Sequence, residues 1–297
     1  MKFLISGGTG FIGRQMVDEL LQQGHYVGIY SRQPGVAART AVATYKWDPL
    51  DGEPSVDSVH DMDAILHLAG EPVAQRWNPA IKERIRASRV DGTRNLVNAI
   101  SKARHKPKVL VCASAIGVYG DRGDEILTED SALGKGFLAD VCRGWEAEAD
   151  RAAWFGVRVV KIRIGFVLGR KGGAMERIAP LFKLGLGGPL GSGKQWMPWV
   201  HVNDITRMFV WAAENEVSGV FNGTAPNPAR NSDFTHALGH AVHRPAFLPV
   251  PGFALRLAMG ELGQHILDSA RVVTEAALKA GFQFQFPNLP EALADIV

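Results

Sequence analysis

Leu4-Ile5-Ser6-Gly7-Gly8-Thr9-Gly10-Phe11-Ile12-Gly13 is the stretch from which the rest of the chain can be read. Gly7, Gly10 and Gly13 stand three apart, directly after the apolar run Phe3-Leu4-Ile5 and directly before residues at helical spacing. Strand, glycine turn and helix start, in that order, form a dinucleotide fingerprint. The first glycine permits the turn, the second lets backbone approach a pyrophosphate, and the third lets the helix lie close against the strand. Amide N–H groups and the dipole at the helix start then hold the phosphates. The stretch predicts a dinucleotide cofactor at Gly7, Thr9, Gly10, Phe11, Ile12 and Gly13.

Working outward, Ile12, Met16, Leu20 and Leu21 repeat at helical spacing until Gly24 stops the helix. A second strand follows at 26–31. An NAD site places Asp or Glu at its end, where the acid accepts from the ribose 2′-hydroxyl. Here stand Ser31 and Arg32. A guanidinium pairs with a 2′-phosphate that an acid would repel, so Ser31 and Arg32 favour NADP(H) over NAD(H). The alternative is that Arg32 is a solvent-facing loop residue. A third strand is expected at 43–47. Asp48 then either reaches the adenine end or simply opens a turn. Residues 63–70 read as a buried parallel strand running into a turn, with His67 as a core histidine. A long helix at 79–103 and apolar strands at 109–113 and 157–165 complete an alternation that implies a parallel sheet.

Bulk properties fit this outline. The 297 residues are 46% hydrophobic and 21% charged, as in an ordinary globular protein. A net charge of +3 with no dense basic run argues against a nucleic-acid partner. Cys112 and Cys142 form no C-x-x-C pair and read as reduced core thiols. No leader-like segment opens the chain and no apolar run is long enough to span a bilayer. A cytoplasmic protein without membrane contact is expected. The nine histidines show no metal-ligand spacing, and no metal is expected.

Three segments carry a family resemblance: Gly7 to Gly13, His67-Leu68-Ala69-Gly70, and Ser114-Ala115-Ile116-Gly117-Val118-Tyr119-Gly120. Together they resemble an extended short-chain dehydrogenase/reductase. Ala69-Gly70-Glu71-Pro72, Leu186 to Gly193 and Pro198-Trp199-Val200-His201 are similar to an atypical branch of it, the YfcH-like "epimerase family". That branch typically carries a tail domain, here 245–297. The resemblance implies a Rossmann-type, doubly wound α/β fold with cofactor contacts at Leu68, Ala69, Gly70 and Glu71. It also implies an unknown small-molecule substrate and a homodimer through sheet-flanking helices, although no residue of this chain marks such a contact.

The resemblance breaks at the catalytic pattern. The superfamily uses a Ser, a Tyr, and a Lys four residues beyond the Tyr, with a Glu usually four further on. Ser114 matches the serine. Taking Glu146 as the acid puts Cys142 at the lysine and Leu138 at the tyrosine. Leu cannot move a proton, and a neutral thiol supplies no cationic field. Tyr119, five residues after Ser114, is the catalytic substitute if it faces the cleft, or an ordinary tyrosine in a strand-to-loop turn. Glu71 either touches the ligand at the carboxyl edge of the sheet or forms a rigid turn with Pro72. Arg163 alternates with apolar neighbours on its strand and points towards the cofactor, while Lys161 is solvated.

Beyond residue 165 glycine becomes frequent. A helix is expected at 174–184 and a flexible loop at 185–193. Gly188 to Lys194 mimics a P-loop, but Gln195 stands where Ser or Thr is required and no helix follows. With Trp196 and Trp199 behind it, the loop suits the wall of a ligand cleft, or the two Trp simply pack in a core. Asn203 or Asp204 should cap a helix at 205–214. A strand at 217–222 returns to the main sheet. Helices are expected at 234–242, 253–259, 269–280 and 289–297. A half-buried strand should carry Phe282, Phe284 and Phe286. The domains therefore interleave: 1–165 plus about 200–225 as an NADP-binding Rossmann unit, 166–199 plus about 226–297 as a smaller, mostly helical substrate or lid region. Functionally, the sequence points to an oxidoreductase or nucleotide-sugar-epimerase-like protein. The alternative is a non-catalytic NADP(H)-binding regulatory or protein-interaction module.

Overall fold

The computed structural model describes residues 1–34 and 41–297. Its centre is a seven-stranded, all-parallel sheet. We number its strands β1 (Lys2–Ser6), β2 (Tyr26–Ser31), β3 (Val42–Lys46), β4 (Ala64–His67), β5 (Val109–Ala115), β6 (Arg158–Ile164) and β7 (Gly219–Gly223). The spatial order is β7-β6-β5-β4-β1-β2-β3. Apolar runs in β1, β4 and β5 make this possible, because strands covered on both faces cannot alternate with polar residues. Phe3, Leu4, Ile5, Ile65 and Leu66 are all fully buried.

The order reverses between β4 and β1, whose ends pair Ser6 with His67. In open parallel sheets such a switch point leaves a crevice beyond the carboxyl ends of the strands. The helices that frame it are α1 (Phe11–Gln22), α2 (Pro79–Lys102) and α3 (Phe137–Asp150). α2 starts at Asn78, whose side chain accepts from the Ile81 N–H at 2.8 Å, with Pro79 pre-set for the first turn. Gly144 lets α3 approach α2, since a Cβ there would stand 3.1 Å from Val90 Cγ2.

α4 (Met175–Lys183), α5 (Val202–Glu214), α6 (Asn231–Ala241), α7 (Gly252–Met259) and α8 (Leu289–Ile296) follow. α5 and β7 return to the sheet. Leu168, Phe182, Trp199, Phe234, Leu238 and Leu293 build a second, smaller core. Trp199 is thus a core residue, whereas Trp196 is only half-buried, its ring held between Arg230 and Arg271.

Three expectations for the later half are corrected. His201, not Asn203 or Asp204, caps α5, its Nδ1 accepting from the Asn203 N–H. Asp204 is fully buried in the first turn and accepts from the Gln285 N–H (2.7 Å) and the Phe286 N–H (2.9 Å). Those two N–H groups are therefore unavailable to a ladder, and 282–286 is not a strand. Residues 269–280 break into the two-residue strand Arg271–Val272, paired with Ile126–Leu127, and a short helix, Glu275–Lys279. Among the described residues no helix is long and apolar enough to cross a membrane.

Candidate functional site

The glycine turn has the geometry its spacing requires. Gly7 has φ +75°, a conformation costly for any residue with a Cβ, and such an atom would sit 3.0 Å from the Leu68 carbonyl carbon. A Cβ on Gly13 would lie 2.1 Å from the Gly7 oxygen, so only glycine lets α1 rest on the turn. α1 begins at Gly10 with no side-chain cap and no acid in its first turn. Its first N–H groups lack helical partners, and this makes the turn a place for an anion. Thr9 and Gly10 are exposed, Phe11 and Ile12 half-buried. The Phe11 ring is enclosed by Gly169, Gly172 and Gly173, each too close to it to carry a Cβ without displacement.

Opposite the turn, the loop Leu68-Ala69-Gly70-Glu71 is held from below by a network that sequence reasoning missed. Ser6 Oγ accepts from the Leu68 N–H (3.0 Å) and the Ala69 N–H (3.1 Å) and lies 2.6 Å from His67 Nδ1. With both lone pairs used, the Ser6 proton goes to Nδ1. His67 is then neutral and donates from Nε2 to Thr93 Oγ1 at 2.9 Å. Full burial pushes its pKa down to about 3. His67 positions the loop and does not titrate near neutrality. Glu71 donates its N–H to Ser88 Oγ, and its carboxylate accepts from Gln75 and Arg84. Burial alone would raise its pKa, but these donors hold it below the usual carboxylate value.

At the end of β2, Ser31 Oγ accepts from the Gln33 N–H, and Arg32 is exposed. No acid occupies this position. The Arg32 charge contributes to the lowered Glu71 pKa, placing a cationic field on the same side of the cleft as the 68–71 loop.

Ser114 lies at the carboxyl end of β5, 2% exposed, and donates to Glu146 Oε1 at 2.6 Å. An ionised carboxylate only accepts, so the Ser114 proton is committed and its oxygen offers lone pairs. Glu146 is in turn held by Arg163 through Nε–Oε1 and Nη2–Oε2 bonds, both 2.9 Å. The pair is almost entirely out of water, with side chains 5% and 8% exposed. Burial opposes its ionisation, yet the guanidinium keeps the Glu146 pKa below its ordinary value.

Three sequence expectations fail here. Arg163 does not point towards a cofactor, because its donors go to Glu146, to the Tyr119 oxygen (2.9 Å) and to the Glu129 carbonyl. Tyr119 does not face the cleft. It is fully buried at the end of the 3₁₀ turn Ile116–Tyr119, and its hydroxyl lies 2.7 Å from Asn222 Oδ1 on β7 and 3.0 Å from the Thr128 carbonyl. Burial raises its pKa. It serves as a buried strut between β5, β6 and β7. Lys161 is half-buried and pairs with Asp150 at 2.7 Å, so it too departs from expectation. Leu138 and Cys142 both lie on α3, and burial pushes the Cys142 thiol up to about 11.

Family models match nearly the whole chain. Residues 3–223 match the NAD dependent epimerase/dehydratase family. The chain belongs to that family. Residues 250–296 match a domain of unknown function, DUF1731, which corresponds to the tail expected at 245–297. A chloroplastic homolog of epimerase family protein SDR39U1 from Arabidopsis thaliana is 39% identical over all of this chain and 87% of its own length. The crystal structure of human SDR39U1 (isoform 2) with NADPH has a TM-score of 0.89 at 37% identity, covering 100% of this chain and 99% of that one. A nucleoside-diphosphate sugar epimerase from Corynebacterium glutamicum has a TM-score of 0.81 at 33% identity, covering all of this chain and 58% of that one.

Elsewhere the structure gathers residues that no spacing announced. His60, Asp61 and His105 meet at the amino ends of β4 and β5, their potential ligand atoms within 4.8 Å of one another. The trio is mostly exposed and lies at the opposite end of the strands from the cleft.

Proposed function

We propose that this protein binds NADPH across the carboxyl ends of β1, β2, β4 and β5 and acts as an oxidoreductase or epimerase-like protein on a small hydroxyl- or carbonyl-bearing molecule. The observation that carries the reading is the Gly7–Gly10–Gly13 cradle, where a Cβ at 13 would collide with backbone, joined to an acid-free β2 end bearing Arg32. The NADPH of human SDR39U1, a relative matched end to end, supports the choice of cofactor. The turn would hold the pyrophosphate, Arg32 the 2′-phosphate, and Leu68 to Glu71 the opposite wall. Bound there, the nicotinamide supplies hydride exchange at its C4. Ser114 offers an acceptor, since its own O–H is donated to Glu146, and so receives a hydroxyl hydrogen. Proton transfer to solvent or substrate does not pass through Tyr119, which is buried in the β5–β7 network.

Calorimetric titration with NADPH and NADH tests the cofactor. Tighter binding of NADPH is expected, and a clear preference for NADH would refute the Arg32 assignment. Turnover of a carbonyl and sugar-nucleotide library tests the chemistry. A second reading, a non-catalytic NADP(H)-binding interaction module, is favoured by the engagement of Ser114, Tyr119 and Arg163 in one internal network. NADPH binding without turnover of any library member, together with a co-purifying protein, would select it.

A further inference from the structure

Cys142 stands where the superfamily pattern has a lysine, with a thiol that burial keeps protonated. A cation nevertheless reaches this spot from another helix. Arg89 projects from α2 towards the 68–71 loop, and its Nη1 donates to the Glu71 carbonyl at 2.9 Å and to the Ile85 carbonyl at 3.3 Å. The guanidinium lies 5.2 Å from the centre of the Trp145 ring on α3. Its carbon is 2.9 Å from where a Cβ would stand on residue 70, so Gly70 is what leaves room for it. The Arg89 charge is felt by the Cys142 thiol, which lies beside Ser114.

Arg89 differs from Arg163 and Arg84. Arg163 is paired with Glu146 and Arg84 with Glu71. Among the described residues Arg89 has no carboxylate within ion-pair distance, and its Nε and Nη2 make no hydrogen bond. It is half-buried, and desolvation lowers its pKa, although a guanidinium stays charged at neutral pH. A partly desolvated charge without a counter-group is unfavourable unless a ligand completes it. One side of the guanidinium is fixed by the loop carbonyl and the Trp145 ring, leaving two donors in a set direction. Ser114 supplies an acceptor in the same region. Donors and an acceptor together fit a group rich in hydroxyls.

We propose that Arg89, reaching over from α2, takes the place of the absent lysine and binds the nicotinamide-ribose half of NADPH through its free Nε and Nη2. This inference rests on the NADPH reading above. Arg89 also places a fixed positive charge beside the position where Ser114 offers its lone pairs.

The test separates the two halves of the cofactor. Affinities for NADPH and for 2′,5′-ADP, which carries the adenosine half alone, are measured on the wild type and on Arg89→Gln. The loss of charge-assisted hydrogen bonds weakens NADPH about ten- to a hundredfold. Binding of 2′,5′-ADP is expected to be unchanged. Equal NADPH affinity in wild type and R89Q overturns the proposal. Parallel loss of both ligands also overturns it, because Arg89 would then only shape the loop. Should R89Q fail to fold, Arg89→Lys keeps the charge but lacks the planar fork, and the same selective loss towards NADPH is required of it. If the wild type binds neither ligand, the cofactor reading itself has failed, an outcome distinct from a failure of Arg89.

Discussion

Replacing Arg163 by methionine tests whether the Glu146–Arg163 pair is the structural centre of the β5–β6–β7 edge. The substitution keeps an apolar stem of similar length but removes the two bonds to Glu146, the bond to the Tyr119 oxygen and the contact to the Glu129 carbonyl. Glu146 is left as a buried charge, 8% exposed, with Ser114 as its remaining side-chain donor. Breaking one side of a buried pair costs about 3–5 kcal/mol. For a chain of 297 residues that corresponds to a fall in Tm of about 5–8 °C. The pH dependence is more diagnostic. In the wild type the Glu146 pKa is lowered, so its contribution is complete above the ordinary carboxylate value, about 4.3, and is lost only as pH falls through the folded value. Between pH 8 and 5 this contribution is flat. Without Arg163, burial dominates and raises the Glu146 pKa, so the folded state favours the protonated acid and the variant gains stability as pH falls from 8 to 5. Differential scanning calorimetry across that range reads both effects. The double substitution Glu146→Gln with Arg163→Met, which leaves no charge, should recover at least half of the lost stability. A flat profile for R163M, or a double variant no more stable than R163M, would refute the reasoning.

Gly13→Ala forces a Cβ against the Gly7 carbonyl and is expected to abolish NADPH-induced thermal stabilisation, because the backbone must shift at the phosphate turn. An unchanged shift would contradict the cradle assignment. Arg32→Asp should weaken NADPH at least about tenfold, as an acid repels the 2′-phosphate, while NADH binds as tightly or more tightly because the new acid accepts from its 2′-hydroxyl, read by titration calorimetry. Tyr119→Phe should lower stability by about 1–2 kcal/mol without altering NADPH affinity, since the hydroxyl is internal. Denaturant unfolding and cofactor titration together check it. His67 is neutral in the fold with a pKa near 3 against about 6.5 when unfolded, so the unfolded chain binds the extra proton between those values. Wild-type stability should therefore fall relative to His67→Gln, by up to about 1.4 kcal/mol per pH unit as pH drops from 6.5 towards 4.

The glycine turn was fully legible in the sequence, because its requirements are local. Positive φ at Gly7 and the close approach of Gly13 depend on residues within a dozen positions, and only glycine meets them. The buried parallel strands were legible for the same kind of reason, as continuous apolar runs. The departure from the tyrosine and lysine pattern that the resemblance implies was equally a matter of sequence, since it turns only on which residues stand at positions 138 and 142. The partners of long side chains were not legible. Tyr119 and Arg163 lie 44 residues apart and look like cleft residues when each strand is read alone, yet the sheet order sets the guanidinium against both the buried Glu146 carboxylate and the Tyr119 oxygen. Asp204 looks like a helix cap, but the fold delivers the 285–286 backbone to it from 81 residues away. Arg89 carries no motif at all. It acquires its meaning only when α2 and α3 pack against each other and Gly70 opens space for a guanidinium. Local backbone sterics and hydrophobic patterning determined the fold and the place of the dinucleotide site. Which charges are satisfied inside was decided only by tertiary packing, because pairing between groups distant in sequence leaves no spacing to read.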